Sequence, residues 1–169
     1  MSTRLTVITG CAIAFFALTA GTAHAWTAHA WAHDRKTQSA PMRQQEASAL
    51  LHGAGLRWIS SGHCTRRTNP HCTSFDGLRP STLGGVLRLR EASRCGLVIS
   101  GGTERGHAGG QFSHGGGYKL DILPNRCLNR FVRHHYRRIH TRGDGAPLYR
   151  AVGRSLFARE PTHWDIAFL

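Results

Sequence analysis

Two short segments of this 169-residue sequence carry residue types that could do chemistry together. In the first, His114 and Asp121 stand seven positions apart across the glycines at 115–117, and in the second Glu160 precedes His163 by three. Hydrolytic zinc sites are built from imidazole and carboxylate groups, with three protein ligands and a fourth position left for water. The pattern therefore predicts that His114, Asp121 and His163 bind Zn²⁺ and that Glu160 is the general base.

The elements that must position these side chains are a glycine turn and two strands. Glycines 115–117 let the chain turn tightly, with positive φ where needed, so that a loop histidine and a strand aspartate can face one ion. Each motif alone carries little weight, because chance gives about 0.35 His-x6-Asp pairs and about 0.28 Glu-x2-His pairs in a chain of this composition. The prediction depends on both motifs occurring together, each beside strand-like sequence.

The combination of His-x2-Gly-x3-Asp and Glu-x2-His resembles the zinc D-alanyl-D-alanine peptidases. This family comprises D,D-carboxypeptidases, D,D-dipeptidases and phage endolysin peptidases, which share a Hedgehog-type fold. The resemblance covers 97–169, with a weaker match in the preceding helices. It implies the same three zinc ligands and the same base, and it implies peptidoglycan stem or crosslink peptides as the substrate.

The substrate-binding residues depart from the pattern of that family. The family usually has a serine two positions before the first histidine, where this chain has Phe112, with Ser113 one position before. It also has an arginine after an upstream Ser-Gly-x, where this chain has Thr103. Arg105 and His107, in a glycine-rich loop that follows a predicted strand, are candidates for binding a substrate carboxylate or the oxyanion, with Ser113 as a third. The alternative is that Arg105 and His107 are solvated loop residues.

The C-terminal segment 163–168 alternates as a strand does, which puts His163 and Asp165 on one face. Asp165 then has two interpretations. It is either a partner that orients a zinc-binding imidazole, which is a common companion of such histidines, or the partner of a surface arginine.

The hydrophobic pattern predicts an α+β domain with a small antiparallel sheet and helices on one side of it. A Hedgehog-type, D,D-peptidase-like fold is what the resemblance adds. Two predicted strands flank Gly153-Arg154 as a hairpin. The predicted helices are 42–58, 81–93 and 124–139, and the predicted strands are 96–100, 118–123, 148–152, 155–158 and 163–168.

The N-terminal residues 1–25 have the pattern of a signal peptide, with Arg4, an apolar stretch and an Ala-x-Ala cleavage site. We expect 26–41 to be a flexible leader, 42–169 to be a single domain, and the protein to be secreted. No stable membrane anchor is expected, because the apolar stretch is shorter than the roughly 20 residues that span a bilayer.

Four cysteines follow the signal peptide, and an even number in an exported chain predicts two disulfides with three possible pairings. We favour Cys64 with Cys72, which closes a short loop, and Cys95 with Cys127, which ties a strand to the helix after the site. A zinc site built from cysteines is the alternative, but the Cys-x7-Cys spacing is not that of a zinc knuckle.

The charge of the chain is strongly positive, with 22 Lys and Arg against nine Asp and Glu. Such a charge favours an anionic partner, and for an exported protein an anionic cell-wall polymer is more economical than nucleic acid. The alternative is that the arginines merely solubilise the surface. We expect a monomer. Two functions follow: an exported zinc peptidase, or a non-catalytic basic module of the same fold that binds cell wall or nucleic acid.

Overall fold

The computed structural model describes residues 40–169. The predicted signal peptide lies outside this part of the chain, as does the predicted leader up to residue 39. The described residues form three helices and seven strands: α1 (Gln44–Gly53), β1 (Arg57–Trp58), α2 (Pro80–Ser93), β2 (Val98–Gly101), β3 (Lys119–Ile122), α3 (Arg126–His135), β4 (Arg137–Thr141), β5 (Pro147–Arg150), β6 (Leu156–Arg159) and β7 (Trp164–Ala167).

All seven strands form one mixed sheet in the order β1-β2-β3-β7-β6-β5-β4. β1 runs parallel to β2, and every other neighbouring pair is antiparallel. The predicted α+β class is confirmed. The prediction of a small antiparallel sheet is wrong, because the sheet also contains β1, which lies within the predicted helix 42–58, and β4, which overlaps the end of the predicted helix 124–139.

The first helix is shorter than the predicted 42–58. It buries Ala47 and Leu51, and it ends at Gly53. Gly55 then adopts a φ of +75°, a left-handed conformation that glycine takes without steric cost and that turns the chain away from the helix axis. The following residues pair with β2 as β1 instead of completing another helical turn.

The third helix also ends before its predicted boundary at 139. The Asn125 side chain caps its start by accepting a hydrogen bond from the Leu128 amide at 2.9 Å. The chain becomes extended at Tyr136, whose ring packs against Phe157 of β6 at a centroid distance of 4.8 Å. Residues Arg137–Thr141 then form β4 against β5, so tertiary pairing overrides the helical pattern.

The hydrophobic core lies between one face of the sheet and all three helices. Alternation along β3 sends Leu120 and Ile122 into this core and leaves Asp121 on the other face. In the same way β7 buries Trp164 and Ile166 and turns Asp165 to the face of Asp121. The sheet thus carries a helix-covered apolar face and a second face on which two carboxylates lie opposite each other.

Both favoured disulfides are confirmed. Cys64 is bonded to Cys72, and Cys95 is bonded to Cys127, with sequence separations of 8 and 32 residues. By loop-closure entropy the longer loop contributes about 4 kcal/mol, chiefly by restricting the unfolded chain. It joins the loop before β2 to the first turn of α3. None of the helices in 40–169 is both long enough and apolar enough to span a bilayer.

Candidate metal centre

Asp121 is the centre of the candidate site. Its Oδ1 lies 3.3 Å from His114 Nε2 and 3.4 Å from His163 Nε2, and its side chain is 7% exposed. Among the described residues this oxygen is buried and has no hydrogen-bond partner. A buried carboxylate oxygen without a partner is costly, and a bound cation would remove that cost.

A glycine in the neighbouring strand leaves room for the Asp121 carboxylate, because it has no Cβ atom. Gly101 of β2 lies opposite Asp121 in the register, and a Cβ atom at this glycine would stand 2.5 Å from Asp121 Oδ2. Two residues before β3, Gly117 has a φ of +78°, and its carbonyl oxygen accepts a hydrogen bond from the Thr82 hydroxyl. Of the three glycines expected to form the turn, Gly117 is the one in the left-handed region.

His114 is held with Nε2 directed at Asp121. Its Nδ1–H donates to the Gly102 carbonyl oxygen over 2.7 Å, which leaves the Nε2 lone pair free in the neutral ring. Burial alone lowers the pKa of His114, but the nearby carboxylates of Asp121 and Asp165 outweigh it and raise that pKa to about 9. In the absence of a metal ion, His114 therefore carries a proton, which supplies the positive charge that the two carboxylates favour.

His163 and Glu160 lie in the turn between β6 and β7, where the Glu160 amide donates to the His163 carbonyl oxygen over 3.0 Å. This turn brings Glu160 Oε2 to 3.3 Å from His163 Nε2. The other oxygen, Oε1, accepts a hydrogen bond from Arg142 Nη2 at 3.0 Å. The Glu160 side chain is 24% exposed, so its carboxylate is accessible to solvent and to a bound reactant.

Asp165 has a different environment from the one expected of an orienting residue. Its Oδ2 accepts hydrogen bonds from Lys119 Nζ at 2.7 Å and from Arg142 Nη1 at 2.9 Å. Its Oδ1 lies 3.7 Å from His114 Nε2, whereas the Gly102 carbonyl accepts the hydrogen bond from His114 Nδ1. Burial raises the pKa of Asp165, but the nearby His114 imidazole and the hydrogen bond from Lys119 outweigh it and lower that pKa well below its usual range.

A second Glu-x2-His pair, which the sequence analysis did not single out, faces the other oxygen of Asp121. His107 Nδ1 lies 3.7 Å from Asp121 Oδ2, and His107 Nε2 lies 3.1 Å from Glu104 Oε1. Glu104 also accepts hydrogen bonds from the amides of Ser74 and Gly102. The sequence held a signal for this pair, because Glu104 and His107 repeat the spacing of Glu160 and His163.

The ligand atoms of His107, His114 and Asp121 lie within 4.8 Å of one another, so this group could hold a metal ion. The rings of His107 and His114 are stacked, with centroids 3.8 Å apart and planes 15° apart. An imidazole binds a metal through a lone pair that lies in the plane of its ring. An ion in the plane of the His114 ring would therefore lie out of the plane of the His107 ring, displaced from it by roughly the distance between the two stacked rings. The two histidines could bind the same ion only after one of the rings rotated.

The remaining predicted substrate-binding residues line a cavity of about 610 Å³ next to His107. Arg105 lies on its exposed wall, and no hydrogen bond or ion pair within 40–169 involves the Arg105 side chain. Ser113 is buried, and its hydroxyl accepts a hydrogen bond from the Gly116 amide at 3.1 Å. A second arginine, Arg67, which the sequence analysis missed, lines the same cavity, and its guanidinium donates to the Thr103 and Gly115 carbonyls.

No protein-family model matches the chain, and comparisons with curated proteins and with solved structures find no significant match. The assignment of a function therefore depends on the chemistry of the site.

Proposed function

We propose that the protein is a secreted zinc peptidase that hydrolyses peptidoglycan stem or crosslink peptides, as a D-alanyl-D-alanine carboxypeptidase or an endopeptidase. The observation that carries the proposal is the approach of two imidazole nitrogens, from His114 and His163, to one unpartnered oxygen of Asp121. Ligand atoms at about 2.0–2.1 Å from a tetrahedral zinc ion stand about 3.3 Å apart, which agrees with the 3.3 and 3.4 Å between Asp121 Oδ1 and the two nitrogens. Among the described residues, the set whose ligand atoms all lie within 4.8 Å of one another contains His107 and not His163, so His163 would have to move closer to His114 to share the ion.

His114, Asp121 and His163 would hold the ion. A zinc ion with three protein ligands lowers the pKa of a water in its fourth position to about 7 and polarises a carbonyl oxygen. Glu160 stands next to one ligand with Oε2 free, where it can accept a proton from the attacking water and donate it to the leaving amine. The Gly102 carbonyl keeps His114 in the tautomer that leaves Nε2 free.

Two features support a peptidoglycan substrate. The first is the resemblance of both motifs to the zinc D-alanyl-D-alanine peptidases, from which we also propose the Hedgehog-type fold. The second is the cavity of about 610 Å³, where Arg105 has no intramolecular partner within 40–169 and could bind a substrate carboxylate. His107, whose Nε2 is held by Glu104, lies between this cavity and Asp121 and could contact the reacting group.

Secretion fits the two disulfides, which form and persist in oxidising compartments. The positive charge of the chain also fits secretion to the cell wall, because an anionic wall polymer would concentrate such a protein at its substrate.

The second candidate is a non-catalytic module that binds an anionic polymer. It is favoured by a basic segment, which we define as the exposed arginines of α3 and β4. Within 40–169, none of these arginines is paired with an acidic side chain. Cell-wall polymer is the partner we favour, because a nucleic-acid module with base-reading contacts is not evident in the sequence. The basic segment comprises Arg126, Arg130, Arg133, Arg137 and Arg138.

The experiment that separates the two candidates uses Glu160→Gln, with Glu91→Gln on the exposed surface of α2 as the matched control. Elemental analysis and mass spectrometry of digested peptidoglycan are the measurements. We expect one zinc per chain in all three proteins and a loss of about 10²- to 10⁴-fold in turnover for Glu160→Gln alone. Equal effects of the wild type and Glu160→Gln on peptidoglycan would contradict the peptidase and favour the binding module.

A further inference from the structure

Arg142 connects the candidate base to the sheet. It follows the end of β4 in the tight turn that leads to β5, where its amide donates to the Ala146 carbonyl oxygen over 2.9 Å. Its guanidinium reaches across the open sheet face to three carboxylates. Nη1 binds Asp165 Oδ2 at 2.9 Å, and Nη2 binds Glu160 Oε1 at 3.0 Å and also Asp144.

The three contacts differ in burial. The Asp165 side chain is 8% exposed, and it is fixed from the other side by Lys119 at 2.7 Å. The Asp144 side chain is 46% exposed, so its contact with Arg142 is screened by water. A planar guanidinium anchored on a buried carboxylate has little freedom to turn, and its second nitrogen therefore fixes the position of Glu160.

Arg142 binds one carboxylate oxygen of Glu160 and does not contact the other. Oε1 is bound to Arg142, and Oε2 remains 3.3 Å from His163 Nε2. Without Arg142, rotation about the Glu160 side chain would let both oxygens approach a cation at His163, and a glutamate is itself a good zinc ligand. A fourth protein ligand would close the position that a hydrolytic site keeps for water.

We propose that Arg142 is a positioning residue that holds Glu160 beside the metal centre and prevents it from becoming a fourth ligand. This inference rests on the proposed metal centre and adds a residue that neither motif contains. It also assigns a role to Asp165, which anchors Arg142 and is not itself required to orient a histidine.

The test uses Co²⁺ in place of zinc, because the visible spectrum of Co²⁺ reports the number and type of its ligands independently of turnover. The variants are Arg142→Met, which removes the charge, Arg142→Lys, which keeps it, and Asp144→Asn, which removes the charge of the exposed contact while its amide oxygen can still accept the hydrogen bond from the Ala146 amide. We expect the spectrum of Arg142→Met to change because Glu160 binds the metal. Arg142→Met combined with Glu160→Ala should restore a spectrum like that of Glu160→Ala alone.

Kinetics on purified peptidoglycan give the second readout. Arg142→Met should lower kcat by about 10- to 100-fold with KM nearly unchanged, the size of effect typical of residues that orient metal-site groups. Arg142→Lys should recover part of this loss, and Asp144→Asn should resemble the wild type. A Co²⁺ spectrum of Arg142→Met identical to that of the wild type would overturn the inference, even if the wild type digests peptidoglycan. A changed spectrum that depends on Glu160 would support it even if no digestion occurs.

Discussion

Two Glu-x2-His pairs approach Asp121, one at each carboxylate oxygen, and they differ in the surroundings of the glutamate. Glu104 is 3% exposed and accepts hydrogen bonds from the Ser74 and Gly102 amides as well as from His107. Burial raises its pKa, but these hydrogen bonds outweigh burial and leave the pKa below its usual value. Glu160 is 24% exposed, and outside its own turn Arg142 is its partner within 40–169.

The Glu-x2-His spacing alone therefore does not determine the role of the glutamate. A glutamate whose oxygens are occupied by backbone amides is fixed as an acceptor, so Glu104 can orient His107 but has no free oxygen for a proton in transit. A glutamate with one free oxygen beside a ligand histidine can carry a proton. We therefore propose Glu160 as the base and His163 as the ligand, and the following substitutions test this proposal.

The largest expected effect is the loss of the metal when a ligand is removed. His163→Ala should not retain stoichiometric zinc after dialysis, because two protein ligands remain. His107→Ala should retain it, because the stacked ring of His107 does not share a plane with that of His114. Elemental analysis of both variants measures this. The opposite result, with zinc lost from His107→Ala and kept in His163→Ala, would exchange the roles of the two pairs.

A smaller effect is expected where Asp121 is displaced but not removed. Gly101→Ala puts a Cβ atom 2.5 Å from Asp121 Oδ2, which should lower zinc affinity by about 10- to 100-fold, as for other changes around metal ligands. Gly96→Ala, just before the same strand, meets no atom within 4 Å and is the matched control. Competition with a chelator measures both affinities. Equal affinities would show that the carboxylate position does not govern binding.

The pH dependence of zinc affinity should be steep below the raised pKa of His114. Because the metal-free protein keeps a proton on His114 up to a pKa of about 9, zinc must displace this proton. The affinity should rise about tenfold per pH unit between about pH 7 and 9 and level off above. A titration of affinity against pH tests this, and a flat profile in that range would contradict it.

The same proton has the opposite effect on the stability of the metal-free protein. A folded-state pKa above the unfolded value of about 6.5 stabilises the fold below that pH. The contribution is lost as the pH rises through about 9. The free energy of unfolding of the metal-free protein should therefore fall between these values in denaturant titrations, whereas that of the zinc-bound protein should not show this decrease.

The smallest expected effect is a difference in the free energy of unfolding between variants of the two glutamates. Glu104→Gln replaces a buried acceptor of several hydrogen bonds, and we expect it to lower the free energy of unfolding by about 1–3 kcal/mol. Glu160→Gln changes a partly exposed group and should lower it by less than about 1 kcal/mol. Urea unfolding of the metal-free variants measures both. A larger loss for Glu160→Gln than for Glu104→Gln would mean that burial does not distinguish the pairs as described.

Much of this architecture could be predicted from the sequence. The α+β class followed from the apolar periods, both disulfides from the chain positions of the cysteines, and the β5–β6 hairpin from Gly153-Arg154. The structure places His114 and His163 each within 3.4 Å of Asp121 and Glu160 beside His163, and the pairing of β3 with β7 brings the segments of Asp121 and His163 together. A strand with one acidic residue between apolar ones, such as those of Asp121 and Asp165, can be recognised in the sequence.

The rest could not be predicted because it depends on tertiary contacts without a local pattern. Arg142 reaches Glu160 only because β4 and β5 extend the sheet beyond β6, and β4 had been assigned to a helix whose apolar period continues past its true end. His107 stacks on His114 through a glycine-rich loop that has no periodicity. Arg67 enters the site region from a segment closed by the first disulfide, and nothing in its sequence neighbourhood indicates this.

The most direct test of the central claim is the position of the ion itself, measured by anomalous diffraction at the zinc edge from crystals of the zinc-bound protein. We expect one ion at about 2.0–2.2 Å from His114 Nε2, His163 Nε2 and an oxygen of Asp121, with Glu160 nearby but not bound. An ion held by His107 and Asp121 while His163 stays unbound would contradict it.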